Sequence, residues 1–477
     1  MYGGRGHGPR PTTTCPNASG RRFAVTDCHL MSRQAEVGRR PELFGRTGEK
    51  VRSGGIRERP GEGRRWRRQE AGPGAGPRDA VGGRAMAIKE IIDLTEPGVE
   101  FVRDPYPVYA RLRESGPVHY VRLPDVDGVW LVVGYEEARA ALADPRLGKQ
   151  WLPEGEAGVR SVGHNMLESD PPRHTRLRKL VAREFTSRRI AALRPRVQEV
   201  TDRLLDEMLP RGRADLVESL AFPLPMTVIC ELLGVPDLDR ERFRGWSQAI
   251  VGNADAGQVE FAERQMGAYL AELIEDKRCG GPGDDLLSGL IRARDENGDA
   301  LSSAELVGMA FLLLVAGHET TVNLIANGTL ALLRHPEQLA ALRADLSLLD
   351  GAIEEMLRWD GPVEIATWRL AREPLELGGR RIAAGETVLV GLASADRDGS
   401  RGLPEPDTFD IRRQQRSHLA FGHGIHYCLG APLARLEAHV AFASLLARAP
   451  GLVLQPGRLE WRGGFLMRGV RELPVSW

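Results

Sequence analysis

Cysteine is scarce in this chain of 477 residues, which contains only five. The five form neither a CxxC pair nor a Cys…His zinc spacing, so a disulfide framework and a zinc site are not indicated. No apolar secretory signal is visible, and no uncharged apolar run reaches the length of about 18 residues that a membrane span requires. These absences predict a cytoplasmic protein with no membrane association.

The chain also has no net charge, but this balance hides two different kinds of sequence. Residues 1–85 contain 18 lysines and arginines against 8 acidic residues, whereas residues 86–477 contain 47 against 57. The first part is rich in Gly, Arg and Pro and has no apolar periodicity, so we expect it to be disordered. Its basic stretch "RRWRRQ" is isolated and lacks interleaved aromatic residues, so no nucleic-acid partner is expected.

Patterned sequence begins at Met86, and residues 86–477 are predicted to form one large domain. We interpret Met86 as the biological start and residues 1–85 as a translated leader. A disordered native tail is the alternative.

Helical patterns outnumber strand patterns, which predicts a fold that is mainly α with a minor β part. Strand, turn and helix are predicted in succession at 128–142. Further helices are predicted at 171–185, 190–209, 222–234 and 260–278, and short strands at 375–382 and 386–392.

One long helix is predicted from Ser302 to the residue before Pro336, with Ser302 and Glu305 at the spacing of a capping box. Its middle reads "AGHETT", residues 316–321, where a glycine, a glutamate and two threonines interrupt an apolar run. A polar face turned to solvent would explain an isolated motif of this kind. The apolar runs on both sides favour a functional site instead, because local rules are most often broken where function requires it.

Cys428 lies in the stretch "FGHGIHYCLG", residues 421–430, directly before a helical pattern. Backbone N–H groups at a helix N-terminus stabilise a thiolate. An inert buried cysteine is the alternative, but it does not explain Gly422, Gly424 and Gly430. Ligation of haem iron by a thiolate explains them, because glycines let the loop approach a flat macrocycle and its amides donate to the sulfur.

Three motifs together resemble those of the cytochrome P450 superfamily of haem-thiolate monooxygenases. The cysteine loop matches at Phe421 and at the three glycines and cysteine named above. "AGHETT" resembles the oxygen-activation motif, and "EEMLR" supplies a Glu-x-x-Arg pair, Glu355 and Arg358. All three occur in the family's order and spacing. The resemblance covers essentially residues 90–477 and implies a P450-type domain whose long helix crosses over the haem, with Ala316 and Gly317 beside the cofactor.

The resemblance also implies a set of residues that bind haem b. Cys428 would be the iron ligand. Four basic residues would bind the haem propionates: His174, Arg178, Arg369 and His426. Glu355 and Arg358 would be structural and would be joined by Arg413, although "PDTF" at 406–409 departs from the family's Pro-x-Arg-Phe pattern.

The implied reaction uses O2 and electrons from NAD(P)H, delivered by ferredoxin reductase and ferredoxin to a monomer. Thr320 would hold the bound oxygen by a hydrogen bond, Glu319 would link the site to protons from solvent, and the region of Gly317 would relax the helix. Because ferredoxins are acidic, we expect a basic docking face near the cysteine loop, and the candidates are Arg176, Lys179, Arg183 and Arg435.

The stretch around residues 164–186 and the long helix resemble those of actinomycete macrolide hydroxylases, which implies a hydrophobic polyketide or macrolide substrate. By this analogy the pocket is lined by residues 150–168, Val315, Ala316, Val363 to Thr367 and Phe465 to Met467. Glu154, Glu156 and Glu168 are either solvated surface charges or partners for an amino sugar. A haem sensor that performs no oxygenation and an oxidase that couples aromatic or peptide substrates remain alternatives.

Overall fold

The structure is a computed structural model that describes residues 91–95, 98–123, 126–149, 162–236, 240–251, 255–281, 283–294 and 298–477. The expected leader, residues 1–85, lies outside these residues. So does most of the loop that the sequence assigned to the pocket, including Glu154 and Glu156.

Helices dominate the described part of the chain, which confirms the predicted fold class. They are α1 (Gly98–Arg103), α2 (Tyr106–Ser115), α3 (Tyr135–Ala143), α4 (Arg173–Ala182), α5 (Ser187–Ala192), α6 (Arg194–Met208), α7 (Pro223–Leu233), α8 (Arg240–Val251), α9 (Ala256–Gly280), α10 (Leu286–Arg292), α11 (Ser303–Arg334), α12 (Pro336–Ala344), α13 (Leu349–Asp360), α14 (Leu392–Ala395) and α15 (Ala431–Arg448).

The strands are short and form a small mixed sheet with two smaller ones. They are β1 (Ile92–Asp93), β2 (Val118–Leu123), β3 (Val126–Val132), β4 (Leu147–Gly148), β5 (Arg213–Asp215), β6 (Arg369–Ala371), β7 (Leu375–Leu377), β8 (Arg380–Ile382), β9 (Thr387–Val390), β10 (Val453–Leu454) and β11 (Pro474–Ser476). The largest sheet has the order β1-β2-β3-β9-β6-β4, with β1/β2 and β3/β9 parallel and the other pairs antiparallel.

Helix α11 has the bounds that its sequence predicts. Ser302 is the N-cap and forms a complete capping box with Glu305, and the helix ends at Arg334, before Pro336. It is long and apolar enough to cross a membrane, but 72% of its most apolar window is buried inside the protein. It packs against α7, α9, α13 and α15, so it is the central helix of the core.

The helix predicted at 190–209 is in fact two helices. α5 ends at Ala192 and α6 begins at Arg194, with Pro195 in its first turn. Because proline has no N–H and clashes with the preceding turn, a continuous helix across this point would lose a hydrogen bond, whereas the first turn of a new helix tolerates it.

The Glu-x-x-Arg pair forms a buried ionic network, as the resemblance implied. The Glu355 carboxylate accepts hydrogen bonds from Arg358 Nε at 2.7 Å and Nη2 at 2.9 Å, and from Arg413 Nε at 3.2 Å. Arg358 also donates to the carbonyl oxygens of Pro406 at 2.7 Å and Thr408 at 3.1 Å. The guanidinium thus fastens α13 to the segment before the cysteine loop, and Arg413 joins the network although its neighbouring sequence departs from the family pattern.

Candidate active site

The Cys428 loop is a tight turn whose shape requires glycine. Gly422 and Gly424 both have a φ of +74°, in the left-handed region that other residues rarely adopt. The Cys428 N–H donates to the carbonyl oxygen of Phe421 at 2.9 Å, which closes the loop. A side chain on Gly424 would lie 2.9 Å from the carbonyl oxygen of Leu142, so the glycine also permits close packing against α3.

Helix α15 begins directly behind the loop, with Gly430 as its N-cap. The Cys428 thiol is solvent-accessible, although protein packs closely around it. This burial raises the pKa of the thiol above its usual value, while the N–H groups of Gly430 and Ala431 and the charges of Arg178 and Arg435 act in the opposite direction. Four groups therefore favour the thiolate, and binding of a metal cation at the sulfur would complete its deprotonation.

The four predicted propionate donors lie together beside this loop. The rings of His174 and His426 are 4.4 Å apart, centroid to centroid. Arg178 Nη2 donates to the carbonyl oxygen of Tyr427 at 2.6 Å, one residue before the cysteine. Arg369 is buried on β6. The structure thus brings residues from α4, β6 and the cysteine loop to one place.

Sequence reasoning missed a fifth cation, Lys149, which follows β4. Its side chain is buried, and Nζ donates to the carbonyl oxygens of Thr367 at 2.8 Å and Trp368 at 3.1 Å. The motif-free stretch "LGKQW" gave no signal for it. We call Lys149, His174, Arg178, Arg369 and His426 the cationic cradle.

The basic groups of the cradle have lowered pKa values, because they are buried close to one another with little negative charge beside them. Burial, followed by the charge of Arg369, lowers the pKa of Lys149 to about 6. Burial, followed by His174, Lys149 and Arg369, lowers that of His426 to about 3, and burial lowers that of Arg369 to about 10. Asp170 is the carboxylate that acts in the opposite direction on all three.

Orphaned polar atoms mark the same place. Three buried ring nitrogens have no hydrogen-bond partner among the described residues. They are both ring nitrogens of His174 and the Nε2 of His426. A group with two carboxylates would stabilise the charged forms of these basic residues and accept hydrogen bonds from them. The cradle and Cys428 therefore fit a haem with its two propionates.

Between Glu305 and Leu332, the most accessible residue of α11 lies in its motif. Ala316 is exposed and Thr320, one turn later, is half-buried, although the helix is otherwise mostly buried. Thr320 Oγ1 donates to the carbonyl oxygen of Ala316 at 3.0 Å. These two residues give the helix an open face with a hydroxyl on it.

Gly317 has a packing role. α11 is continuous through it, so the structure shows no break in the helix at the motif. A side chain at this position would lie 2.8 Å from Ile229 Cδ1, so the glycine lets α11 approach α7 closely.

Glu319 and His318 face the protein interior. Glu319 is 1% exposed and forms an ion pair with Arg462, a residue that sequence reasoning did not single out. His318 Nδ1 lies 2.7 Å from the carbonyl oxygen of Leu314, and its Nε2 lies 2.9 Å from Ser247 Oγ on α8. Any path from Glu319 to solvent therefore passes through the protein.

The described pocket candidates come from separate elements. Val363 forms an antiparallel β-bridge with Met467, and Glu364 N–H donates to the carbonyl oxygen of Leu466 at 3.0 Å. Val315 is half-buried, and Glu168 is exposed. The segments around 363 and 466 are thus held together.

Two of the four docking candidates are engaged in ion pairs. Arg176 pairs with Glu305 at 2.8 Å, and Arg435 forms a two-pronged pair with Glu354 at 2.6 and 2.8 Å. Lys179 and Arg183 on and beside α4 are exposed. The charges of Arg176 and Arg435 are thus matched by carboxylates of the protein, and the docking face stays a prediction.

Similarity to known proteins agrees with this geometry. The profile of the family described as Cytochrome P450 matches residues 268–449. The chain is 60% identical over 401 residues to the cytochrome P450 monooxygenase PikC of Streptomyces venezuelae, covering 82% of this chain and 95% of that protein. It is 43% identical over 379 residues to the mycinamicin IV hydroxylase/epoxidase of Micromonospora griseorubida, covering 77% and 94%.

Comparison with solved structures gives the same result as comparison of sequences. The structure of the tirandamycin C-bound P450 monooxygenase TamI superposes with a TM-score of 0.74 at 46% identity, covering 81% of this chain and 99% of that one. Identity at this level over nearly whole proteins, together with the cysteine loop, the cationic cradle and the motif on α11, shows that the chain belongs to the cytochrome P450 family of haem-thiolate monooxygenases.

Proposed function

We propose that the enzyme inserts one oxygen atom from O2 into a C–H bond or alkene of a polyketide or macrolide natural product. The identity with the mycinamicin IV hydroxylase/epoxidase and with the tirandamycin C-bound monooxygenase carries this proposal. Both names specify oxidation or binding of a natural product, and both proteins are matched over more than 90% of their length.

In this proposal, different residues bind the haem, supply protons and contact the substrate. Haem, when bound, supplies the oxygen-activating chemistry. Cys428 holds its iron, and the cationic cradle binds its propionates. Thr320 presents a hydroxyl on the open face of α11, and Glu319 supplies protons to that face. Ala316, Val315, Val363 to Thr367 and Phe465 to Met467 line the substrate side.

A binding panel tests the substrate class. Titration of the haem-loaded enzyme with a mycinamicin-type macrolide or tirandamycin is expected to shift the Soret band, with an affinity about tenfold above that for myristic acid, equivalent to about 1.4 kcal/mol. Myristic acid is the matched competitor because it occupies a homologue of 42% identity, CYP267B1. Tighter binding and oxidation of the fatty acid would contradict the proposed substrate class.

We also propose that electrons come from NAD(P)H through a ferredoxin reductase and an acidic ferredoxin in the cytoplasm. Ile425 and Tyr427 are exposed hydrophobic residues beside Cys428, at 51% and 41% exposure. Lys179 and Arg183 are exposed cations on or next to α4, the helix that also carries Arg178 of the cradle. Exposed apolar residues beside the cysteine, with exposed cations on or next to the helix that contacts the same loop through Arg178, suit an acidic partner.

Charge reversal at Lys179 tests this docking proposal. Lys179→Glu is expected to slow the first electron transfer from ferredoxin, most strongly at low ionic strength, because charges at an interface rim act on association rate. Stopped-flow reduction measures the effect, and substrate affinity should not change. Arg380→Glu, on exposed strand β8, is the control. Equal reduction rates for wild type, Lys179→Glu and Arg183→Glu would place the ferredoxin elsewhere.

A further inference from the structure

A buried polar cluster joins helix α2 to two of the segments assigned to the substrate pocket. Its members are Tyr106 and Tyr109 of α2, Asp360 at the end of α13, Glu364 and Arg468, and all five are buried. We call them the anchoring cluster. Glu364 belongs to segment 363–367 and Arg468 directly follows segment 465–467, so the cluster is attached to both pocket segments.

Backbone hydrogen bonds hold these two segments against each other. The Glu364 N–H donates to the carbonyl oxygen of Leu466 at 3.0 Å, and the Arg468 N–H donates to that of Pro362 at 2.9 Å. The two bonds flank the β-bridge between the segments that is described above. A displacement of Glu364 or Arg468 would therefore move both segments together.

Side chains fasten the paired segments to α2 and α13. The Tyr109 hydroxyl donates to Glu364 Oε1 at 2.6 Å. The Tyr106 hydroxyl donates to Asp360 Oδ1 at 2.6 Å, and Arg468 Nε donates to the same oxygen at 2.5 Å. The position of the pocket segments thus depends on two buried carboxyl groups, one on each side of the pairing.

The anchoring cluster contains two carboxyl groups but one guanidinium. Arg468 uses Nε for Asp360, and its two terminal nitrogens donate to backbone carbonyl oxygens of α1 at 3.2 and 3.3 Å. Among the described residues, Glu364 has the Tyr109 hydroxyl as its hydrogen-bond partner and forms no ion pair. A buried carboxylate without an ion pair is costly, so the arrangement favours a neutral Glu364.

The electrostatic surroundings of Glu364 agree with this count. Burial raises the pKa of Glu364 to about 7, against the opposing effects of Arg468 and of the Tyr109 hydroxyl, and the Asp360 carboxylate raises it further. Burial also raises the pKa of both tyrosines of the cluster above their usual value, so neither ionises near neutral pH.

The other elements around Glu364 add little charge to it. Helix α14, whose Ala393 N–H donates to the Glu364 carbonyl oxygen at 3.1 Å, contains no titratable or charged residue. Arg397 lies over the ring of Tyr106, 3.3 Å from its centroid, and is therefore a second cation at the far side of the cluster. Glu364 is thus the group of this cluster that changes charge near neutral pH.

We propose that Glu364 is a positioning residue for substrate, whose neutral carboxyl group keeps both pocket segments in the arrangement that binds substrate. The inference rests on the proposed pocket and substrate class. Ionisation places an unmatched charge in the core, and the carboxylate then moves toward Arg468 or toward water, which displaces segment 363–367 and its partner. Binding of substrate to the ionised enzyme takes up one proton from water at the Glu364 carboxylate, and no other bond changes.

The proposal fixes the sign of a pH effect on binding. Because only the enzyme with neutral Glu364 binds substrate, the apparent affinity is the intrinsic affinity multiplied by the neutral fraction. With a pKa of about 7, this fraction decreases about tenfold from about pH 6 to about pH 8. Substrate binding should therefore weaken as the pH rises.

Titrations at these two pH values test the proposal. The probe is a macrolactone without an amino sugar, because it has no titratable group in this range. Its affinity for the haem-loaded enzyme, measured by the shift of the Soret band, is expected to fall about tenfold from about pH 6 to about pH 8. Glu364→Gln keeps an acceptor for the Tyr109 hydroxyl but cannot ionise, so its affinity should be the same at both pH values.

Two further variants separate this role from a general loss of structure. Glu376→Gln removes an exposed carboxylate of β7 and should keep the wild-type pH dependence. Tyr109→Phe removes a hydrogen bond that favours the ionised form of Glu364, so the midpoint of its pH dependence should move upward. Purely structural damage would weaken binding equally at both pH values. The haem content of each variant is measured at both.

The outcomes distinguish this inference from the proposed function. Equal wild-type affinity at the two pH values would overturn the role of Glu364 and leave the substrate class intact. The same holds if Glu364→Gln keeps the wild-type pH dependence, or if Tyr109→Phe leaves its midpoint unchanged. A macrolactone that fails to bind the wild type even at the lower pH would contradict the proposed substrate class, and this inference with it.

Discussion

Replacement of Cys428 by histidine is expected to abolish both oxygenation and the red-shifted Soret band of the reduced, carbon monoxide-bound protein. That band requires a thiolate on the iron, and imidazole does not donate electron density as a thiolate does. The N–H groups of Gly430 and Ala431 face the sulfur, so the loop is built for an anionic ligand at this position. Reduced-minus-oxidised difference spectra under carbon monoxide measure the effect.

Cys279→Ser is the matched control, because Cys279 is an exposed cysteine on the end of α9. It should keep both the band and the activity. Retention of the band in Cys428→His would place the iron ligand at another residue. Loss of haem from Cys428→His would also remove the band. The haem content of each variant is therefore measured together with its spectrum.

The parts of the site that sequence predicts best are those fixed by local backbone geometry. The cysteine loop is visible in the sequence as a short glycine-rich pattern before a helix, and the structure shows the local cause: Gly422 and Gly424 adopt positive φ and α15 begins behind Cys428. The caps of α11 were predicted for the same reason, since Ser302 and Glu305 act within one turn. Local constraints of this kind can be recognised in the sequence, because they require particular residue types at short spacings.

The parts that sequence did not predict depend on contacts between distant segments. Lys149 joins the cationic cradle because β4 pairs with β6, which carries Arg369. Arg462 meets Glu319 because the C-terminal segment that carries it packs against α11, over a separation of 143 residues. A lone lysine or arginine has no periodicity or spacing, so only the fold shows what it contacts.

Gly317 illustrates a different limit. A glycine in an apolar helix is unusual, and the family resemblance implied a helix that relaxes at this point. The structure gives a packing reason, since a side chain here would displace the Ile229 side chain of α7. Sequence identifies such a position as constrained, but the cause depends on which element packs against it.

The second large effect is expected for Glu355→Ala. Arg358 is 1% exposed, and removal of its carboxylate partner would leave a buried guanidinium whose remaining acceptors in the described structure are backbone carbonyl oxygens. Breaking a buried ion pair in this way costs about 3–5 kcal/mol. This is a large share of the 5–15 kcal/mol that stabilises a typical domain. The variant should therefore accumulate with little or no haem and unfold at a much lower urea concentration.

A graded series identifies the network as the cause. Arg413→Ala removes only one donor to Glu355 and leaves the Arg358 pair intact, so its loss of stability should be intermediate. Glu260→Ala is the control, because the Glu260–Arg264 pair is exposed on α9 with a separation of 3.6 Å, and exposed pairs contribute about 0–1 kcal/mol.

Urea unfolding curves and the ratio of haem to protein measure the effect of all three substitutions. The segment that Arg358 holds through Pro406 and Thr408 leads into the cysteine loop, so haem content should fall in the same order as stability. If Glu355→Ala were as stable and as haem-loaded as Glu260→Ala, the network would have no structural role.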